Sequence, residues 1–122
     1  YRGQAGRMTI HLLRSPATQL QINEMMEALE TYIKLAVDLR REIVAGGGVL
    51  HADCEAALLE DGSRQEDVWG ADWLPSTQEI RYEALINLQP RQNNPSVDIL
   101  DASIRSGIAV IIKRLLGGVQ WR

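Results

Sequence analysis

At 122 residues, with 45% hydrophobic and 24% charged side chains, the chain has the size and composition of one globular domain, and its single Cys54 excludes an internal disulfide. Thirteen basic against sixteen acidic side chains leave a net charge of -3, which argues against a broad, charge-driven nucleic-acid interface. One unpaired thiol fits a reducing cytoplasm, and the longest purely aliphatic run, Ile108 to Ile112, is far short of the roughly 20 residues that a membrane helix needs.

Residues 1–7 read as a leader, native or added, and residues 8–118 as a single α+β domain. Met8 to Leu13 is a candidate short strand. From Thr18 onward, Ile22, Met25, Leu29, Tyr32, Ala36, Leu39 and Ile43 follow steps of three and four, which predicts a helix ended by the glycines 46–48. Thr18 and Gln21 have the spacing of a capping box. A second pattern competes, because Leu35, Val37 and Leu39 alternate and "KLAVDLR" also reads as a strand entered after a shorter helix.

After the glycines the period becomes two. Leu50, Ala52, Cys54, Ala56 and Leu58 fall on one face of a predicted strand, and His51, Asp53 and Glu55 on the other. Asp61-Gly62 suits a hairpin turn, and the returning strand is Asp67 to Leu74, with Trp69, Ala71 and Trp73 on a shared face. A third strand is predicted over Glu79 to Gln89, with Ile80, Tyr82, Ala84, Ile86 and Leu88 opposite Arg81, Glu83, Leu85, Asn87 and Gln89. The chain ends in a helix striped by Ile104, Ile108, Ile111, Ile112 and Leu115, with Ser96, Asp98 or Asp101 as its cap and Lys113 and Arg114 in its last turn. The sum is an α+β fold: an antiparallel three- or four-stranded meander packed against an N-terminal helical segment and a C-terminal helix.

Several groups of residues could carry chemistry. On a strand, His51, Asp53 and Glu55 stand about 7 Å apart, too wide for easy chelation. No His-x-x-x-His or Cys-x-x-Cys spacing supports a metal, so no metal or cofactor is expected. If neighbouring strands align, these three would meet Arg81, Glu83 and Asn87 in a polar basin on the sheet face, where close carboxylates supply a general acid or base. Alternatively they solvate the outer face of a half-buried strand. Cys54 falls among Ala and Leu side chains and reads as a small hydrophobe. The oxygen-rich stretch from Asp61 to Asp67 places its glycine second, where a calcium loop needs it sixth, and reads as a polar hairpin tip. Trp69 and Trp73 are either core residues or, if their face is open, an interaction surface. Arg91, with Gln92 and Asn94 in the loop before the last helix, could hold an anion, though no glycine-rich phosphate cradle accompanies it.

The segments "GGGVLHADCEAALLEDGSRQEDVWGADWLP", "YEALINLQPRQNN" and "DASIRSGIAVIIKRLLGG" resemble a family of short bacterial and archaeal proteins of unknown function, from about Lys34 to Gly118. The resemblance rests on His-Ala-Asp after the glycines, the Glu-Asp-Gly-Ser turn, the Trp-Gly pair and the Asn-x-x-Pro-Arg-Gln-x-Asn loop. It implies β-branched character around "IKLAVDLRREIVAGGG", which favours the strand reading there, and it supplies no activity and no ligand residues. Gln89 stands where the resemblance leads one to expect a basic residue. The chain is therefore expected to be a small cytoplasmic binding or interaction domain, with a homo-oligomer or another protein as partner. The alternative is a metal- or anion-assisted enzyme using the polar basin.

Overall fold

A computed structural model describes residues 8–119 of the chain; the leader expected at residues 1–7 lies outside the described residues. One open antiparallel sheet is formed by β1 (His11–Leu13), β2 (Ile33–Asp38), β3 (Ile43–Gly48), β4 (Val68–Leu74) and β5 (Glu79–Arg81), in the order β1-β3-β2-β4-β5. Three helices accompany it: α1 (Gln19–Met25), α2 (His51–Glu60) and α3 (Ala102–Leu116). The α+β class therefore holds, with a wider sheet than three or four strands.

The strand reading of "KLAVDLR" is the one the chain adopts. The expected long helix stops after α1, and Glu30 takes a left-handed φ of 69° in the turns that follow. Ile22 and Met25 do face the core from α1, but Ala36 and Ile43 owe their helical spacing to coincidence, since they lie on two strands of a hairpin. Thr18 caps α1 as expected: its side chain accepts from Gln21 N–H at 3.1 Å, and Gln21 Oε1 accepts from Thr18 N–H at 2.9 Å. Asp38 ends β2 by accepting from Arg40 and Arg41 N–H at 2.9 and 2.8 Å, which forms the turn into β3.

Residues 51–60 are helical, and the strand expected there is a misreading. The segment contains no β-branched residue and is rich in Ala, Leu and Glu, all strong helix formers. Its apparent alternation came from alanines, which suit either period. Cys54 and Leu58, four apart, are the side chains buried against the sheet. Asp53 turns back to accept from Leu50 N–H at 3.0 Å and caps the first turn.

The sheet is covered on both faces. Ile33, Leu35, Val37, Val44, Trp69, Ala71 and Trp73 point to one side, where they pack with α1 and with Ile108, Ile111, Ile112 and Leu115 of α3. Ala36, Ala45 and Val68 point to the other side and meet Cys54 and Leu58 of α2. This explains why β2 and β3 are buried almost throughout, and why their composition did not show clean polar alternation. Gly47 lies within β3, at the register shift opposite Lys34 and Leu35, with a φ of 105°, a conformation that favours glycine.

Candidate functional site

The expected third strand breaks after Arg81. Val68, Gly70 and Asp72 are the β4 residues that face α2, and Gly70 offers no side chain there. The chain uses that gap. After Tyr82 it crosses the sheet face with Ala84 and Ile86 directly over Gly70, where a Cβ would stand 2.6 Å from Ala84 Cβ and 2.9 Å from Ile86 Cγ1. The fully buried Asn87 then substitutes for a strand partner. Its Oδ1 accepts from Gly70 N–H at 2.7 Å, and its Nδ2 reaches the carbonyls of Gly70, Tyr82 and Val97 at 3.1, 3.1 and 3.2 Å. Asn94, also buried, ties the far end of the loop: its amide donates to Asn87, Ser96 and Asp98 carbonyls and its Oδ1 accepts from Leu100 N–H.

The chain makes two short 3-10 turns here, Leu85–Asn87 ending at the first fastener and Pro90–Gln92 between the two. Together with α2 and the 3-10 turn Gln65–Asp67 they enclose an open cavity of about 660 Å³. Glu55 lines it from α2, Gln65 and Glu66 from the turn, and Leu85, Ile86, Leu88, Gln89, Pro90, Arg91 and Gln92 from the loop. Its volume falls in the range of small-molecule sites, roughly 300–1,000 Å³. Leu85 and Leu88, at 77% and 49% exposure, give it an apolar rim.

The polar groups of the loop differ in how they are employed. Gln89 donates to Val68 O at 2.9 Å, and Gln92 donates to Glu66 O at 2.8 Å and also to the Gln89 side chain. Asn87 and Asn94 hold backbone, as described. Arg91 is exposed and makes no ion pair or hydrogen bond with any described residue. Burial raises the Glu55 carboxyl above its usual range, with the Gln65 amide pulling partly the other way.

A family profile described as a protein of unknown function (DUF5674) matches residues 11–115. The chain belongs to this family. Comparison with curated proteins finds no match, and neither does comparison with solved structures. The family profile thus spans all three helices and all five strands apart from the last residue of α3.

The six residues expected to form a basin on the sheet face are dispersed, because three of them ride on a helix. His51 reaches down to β4, where Nε2 lies 2.8 Å from Asp72 Oδ1 and 3.1 Å from Ala71 O. Both partners are acceptors, so Nε2 carries the proton. Arg81 is paired with Asp72 across β4 and β5 and is exposed. Asp53 is the cap of α2, Glu55 lines the cavity, Glu83 bridges to Asp98 through its backbone, and Asn87 is buried. Among the described residues, no three His, Cys, Asp or Glu side chains gather in a metal-binding geometry. Of the expected anion-loop residues, Arg91 and Gln92 line the cavity, whereas Asn94 is a buried fastener.

Trp69 and Trp73 are 1% and 0% exposed and do not form an interaction surface. They are the bulk of the core under α1 and α3. Cys54 is sealed beneath α2, its thiol donating to Lys34 O at 3.3 Å, and burial pushes its pKa up to about 11, opposite to what a nucleophile requires. Sequence reasoning missed Asp72, Leu85 and Leu88, and read Gln65 and Glu66 only as part of a polar hairpin tip. Asp72 carried a signal, being a carboxylate between Ala71 and Trp73 on a strand otherwise apolar. The cavity residues carried none, because their proximity depends on the chain leaving the sheet at Tyr82.

Proposed function

We propose that this chain is a small cytoplasmic ligand-binding domain, and that the cavity between α2 and residues 85–92 is its site. The ligand is a compact amphipathic molecule. Its apolar part contacts Leu85, Leu88 and Pro90, and a polar group meets Arg91. One observation carries the reading: Arg91 is the polar residue of the Asn-x-x-Pro-Arg-Gln-x-Asn loop that holds nothing in the fold, and it stands at an open apolar cavity. A guanidinium left free on a loop anchored at both ends is placed for recognition rather than for stability.

The test uses the dye 1-anilinonaphthalene-8-sulfonate, which joins an apolar body to one anionic group. Titration into the folded protein should give a saturable rise in fluorescence. Arg91→Ala and Leu88→Ser should each weaken it about tenfold, the loss of roughly 1.4 kcal/mol, without lowering Tm. Equal binding by wild type and both variants would refute the assignment of the site.

A second reading, an anion-assisted enzyme, is favoured by Glu55. A half-buried carboxyl with a raised pKa, in a cavity also lined by an arginine, has the makings of a general acid or base. It requires turnover of an ester or amide panel that falls on Glu55→Gln; a panel hydrolysed no faster by wild type than by the variant removes this reading.

A further inference from the structure

The charges of the cavity do not match a simple anion. Glu55 and Glu66 bring two carboxylates and Arg91 one guanidinium, so the lining is net negative. The three groups come from separate elements, α2, the 65–67 turn and the 90–92 turn, and neither carboxylate forms an ion pair with Arg91 or with another described cation. Opposite charges thus share one cavity without neutralising each other, and aliphatic side chains of the loop complete the wall.

We infer that the ligand is a small zwitterion, with a cationic group set against Glu55 and Glu66, an anionic group held by Arg91, and an aliphatic spacer lying along Leu85, Ile86 and Leu88. This rests on the cavity being the binding site, as proposed above. A lone anion would gain Arg91 but face two carboxylates. A lone cation would gain the carboxylates but be repelled by the guanidinium. Only a molecule carrying both charges is complementary to all three groups. Glu55 strengthens the point. Its carboxylate, half-buried on α2, has already lost part of its hydration, so an incoming cation displaces less water from it.

Three probes of equal length separate the possibilities: 6-aminohexanoate, hexanoate and hexylammonium. Calorimetric titration of the full chain should give 6-aminohexanoate a Kd at least tenfold below either of the others. Glu55→Gln should bring it level with hexanoate, and Arg91→Ala level with hexylammonium, while the unliganded variants keep the wild-type Tm. Hexanoate or hexylammonium binding as tightly as 6-aminohexanoate overturns the zwitterion, and so does an advantage that survives both substitutions. If the sulfonate dye binds in an Arg91- and Leu88-dependent way while the zwitterion shows no advantage, the cavity stands and the ligand class falls. If neither the dye nor any probe responds to substitutions in the lining, both fall.

Discussion

Replacing Asn87 by Ala tests whether one buried amide holds the cavity loop on the sheet. The side chain is fully buried and serves four backbone groups. Two of them are the N–H and C=O of Gly70 in β4, and its two amide hydrogens are shared among three carbonyls. Truncation orphans the Gly70 N–H, which costs about 1–3 kcal/mol when no water reaches it, and removes two donated bonds worth about 0.5–1.5 kcal/mol each. Partial entry of water offsets some of this, leaving a net loss of about 3 kcal/mol, a large part of the roughly 5–15 kcal/mol that stabilises a domain. At about 4 °C per kcal/mol for a chain of this size, Tm should fall by about 12 °C. Urea unfolding followed by circular dichroism should show a lower midpoint at unchanged slope, and exchange of the Gly70 amide should accelerate.

Asn87→Asp refines the test. It keeps an acceptor for Gly70 N–H but places a carboxylate against three carbonyls. Burial raises the folded pKa of that carboxyl, so its stability is intact below the unfolded pKa and declines as pH rises through the folded value. The variant should therefore be more stable at pH 4 than at pH 7 relative to wild type. A loss below about 1 kcal/mol in the Ala variant, or an Asp variant matching wild type at pH 7, would refute the view that Asn87 stands in for a strand.

Three further outcomes follow from particular contacts. Gly70→Ala sets a methyl 2.6 Å from Ala84 Cβ, so the crossing chain must lift; stability should fall by about 1–3 kcal/mol and dye binding at the cavity should weaken, as denaturation and titration would show. The Cys54 thiol, held at about 11 against an ordinary 9.0, contributes stability that is complete below pH 9 and fades as pH rises towards 11. Wild type should lose up to about 3 kcal/mol relative to Cys54→Ala across that window, measured by urea midpoints, and native Cys54 should resist iodoacetamide. Hydrogen bonds from Arg41 and Arg14 hold the Asp61 carboxyl below its usual 3.8, so its contribution is present above that pH and lost as the pH falls through the lowered value. Asp61→Asn should melt below wild type at pH 6, and the gap should close on acidification.

The parts of the fold that were legible carried their own local chemistry. Thr18 with Gln21, Asp101 before Ile104, and the Trp69-Ala71-Trp73 beat each mark an element through contacts made within a few residues. Segments that depended on distant partners were misread. Alanines at 52, 56 and 57 fit a strand as well as a helix, and only the absence of any β-branched residue from His51 to Glu60 told against the strand. Ala84, Ile86 and Leu88 do alternate, yet the ladder they imply is replaced by an asparagine, because a neighbouring strand happens to carry glycine at position 70. The Trp-Gly and Asn-x-x-Pro-Arg-Gln-x-Asn motifs, separate in sequence, are thereby two halves of one joint. Arg91 was legible as a candidate because loops display arginines; Glu66 and Leu85 were not, since nothing local distinguishes them from solvated loop residues.

The helix at 51–60 also decides which residues can work together. On a strand, 51, 53 and 55 share a face. At about 100° per residue on a helix, 51 and 55 lie within about 40° of one another and 53 lies nearly opposite 51. His51 and Glu55 therefore look to the same side, one turn apart, above β4. Beneath the first is Asp72, which engages the imidazole. Beside the second is the loop seated on Gly70, which meets no side chain at that position and so can lie low enough to leave room above itself. The strand's own sequence, Gly70 then Asp72, sets what each end of that helix edge does. The aspartate satisfies a histidine and locks the start of α2 to the sheet. The glycine admits a loop, and with it the space that Glu55 and Arg91 line without pairing with each other.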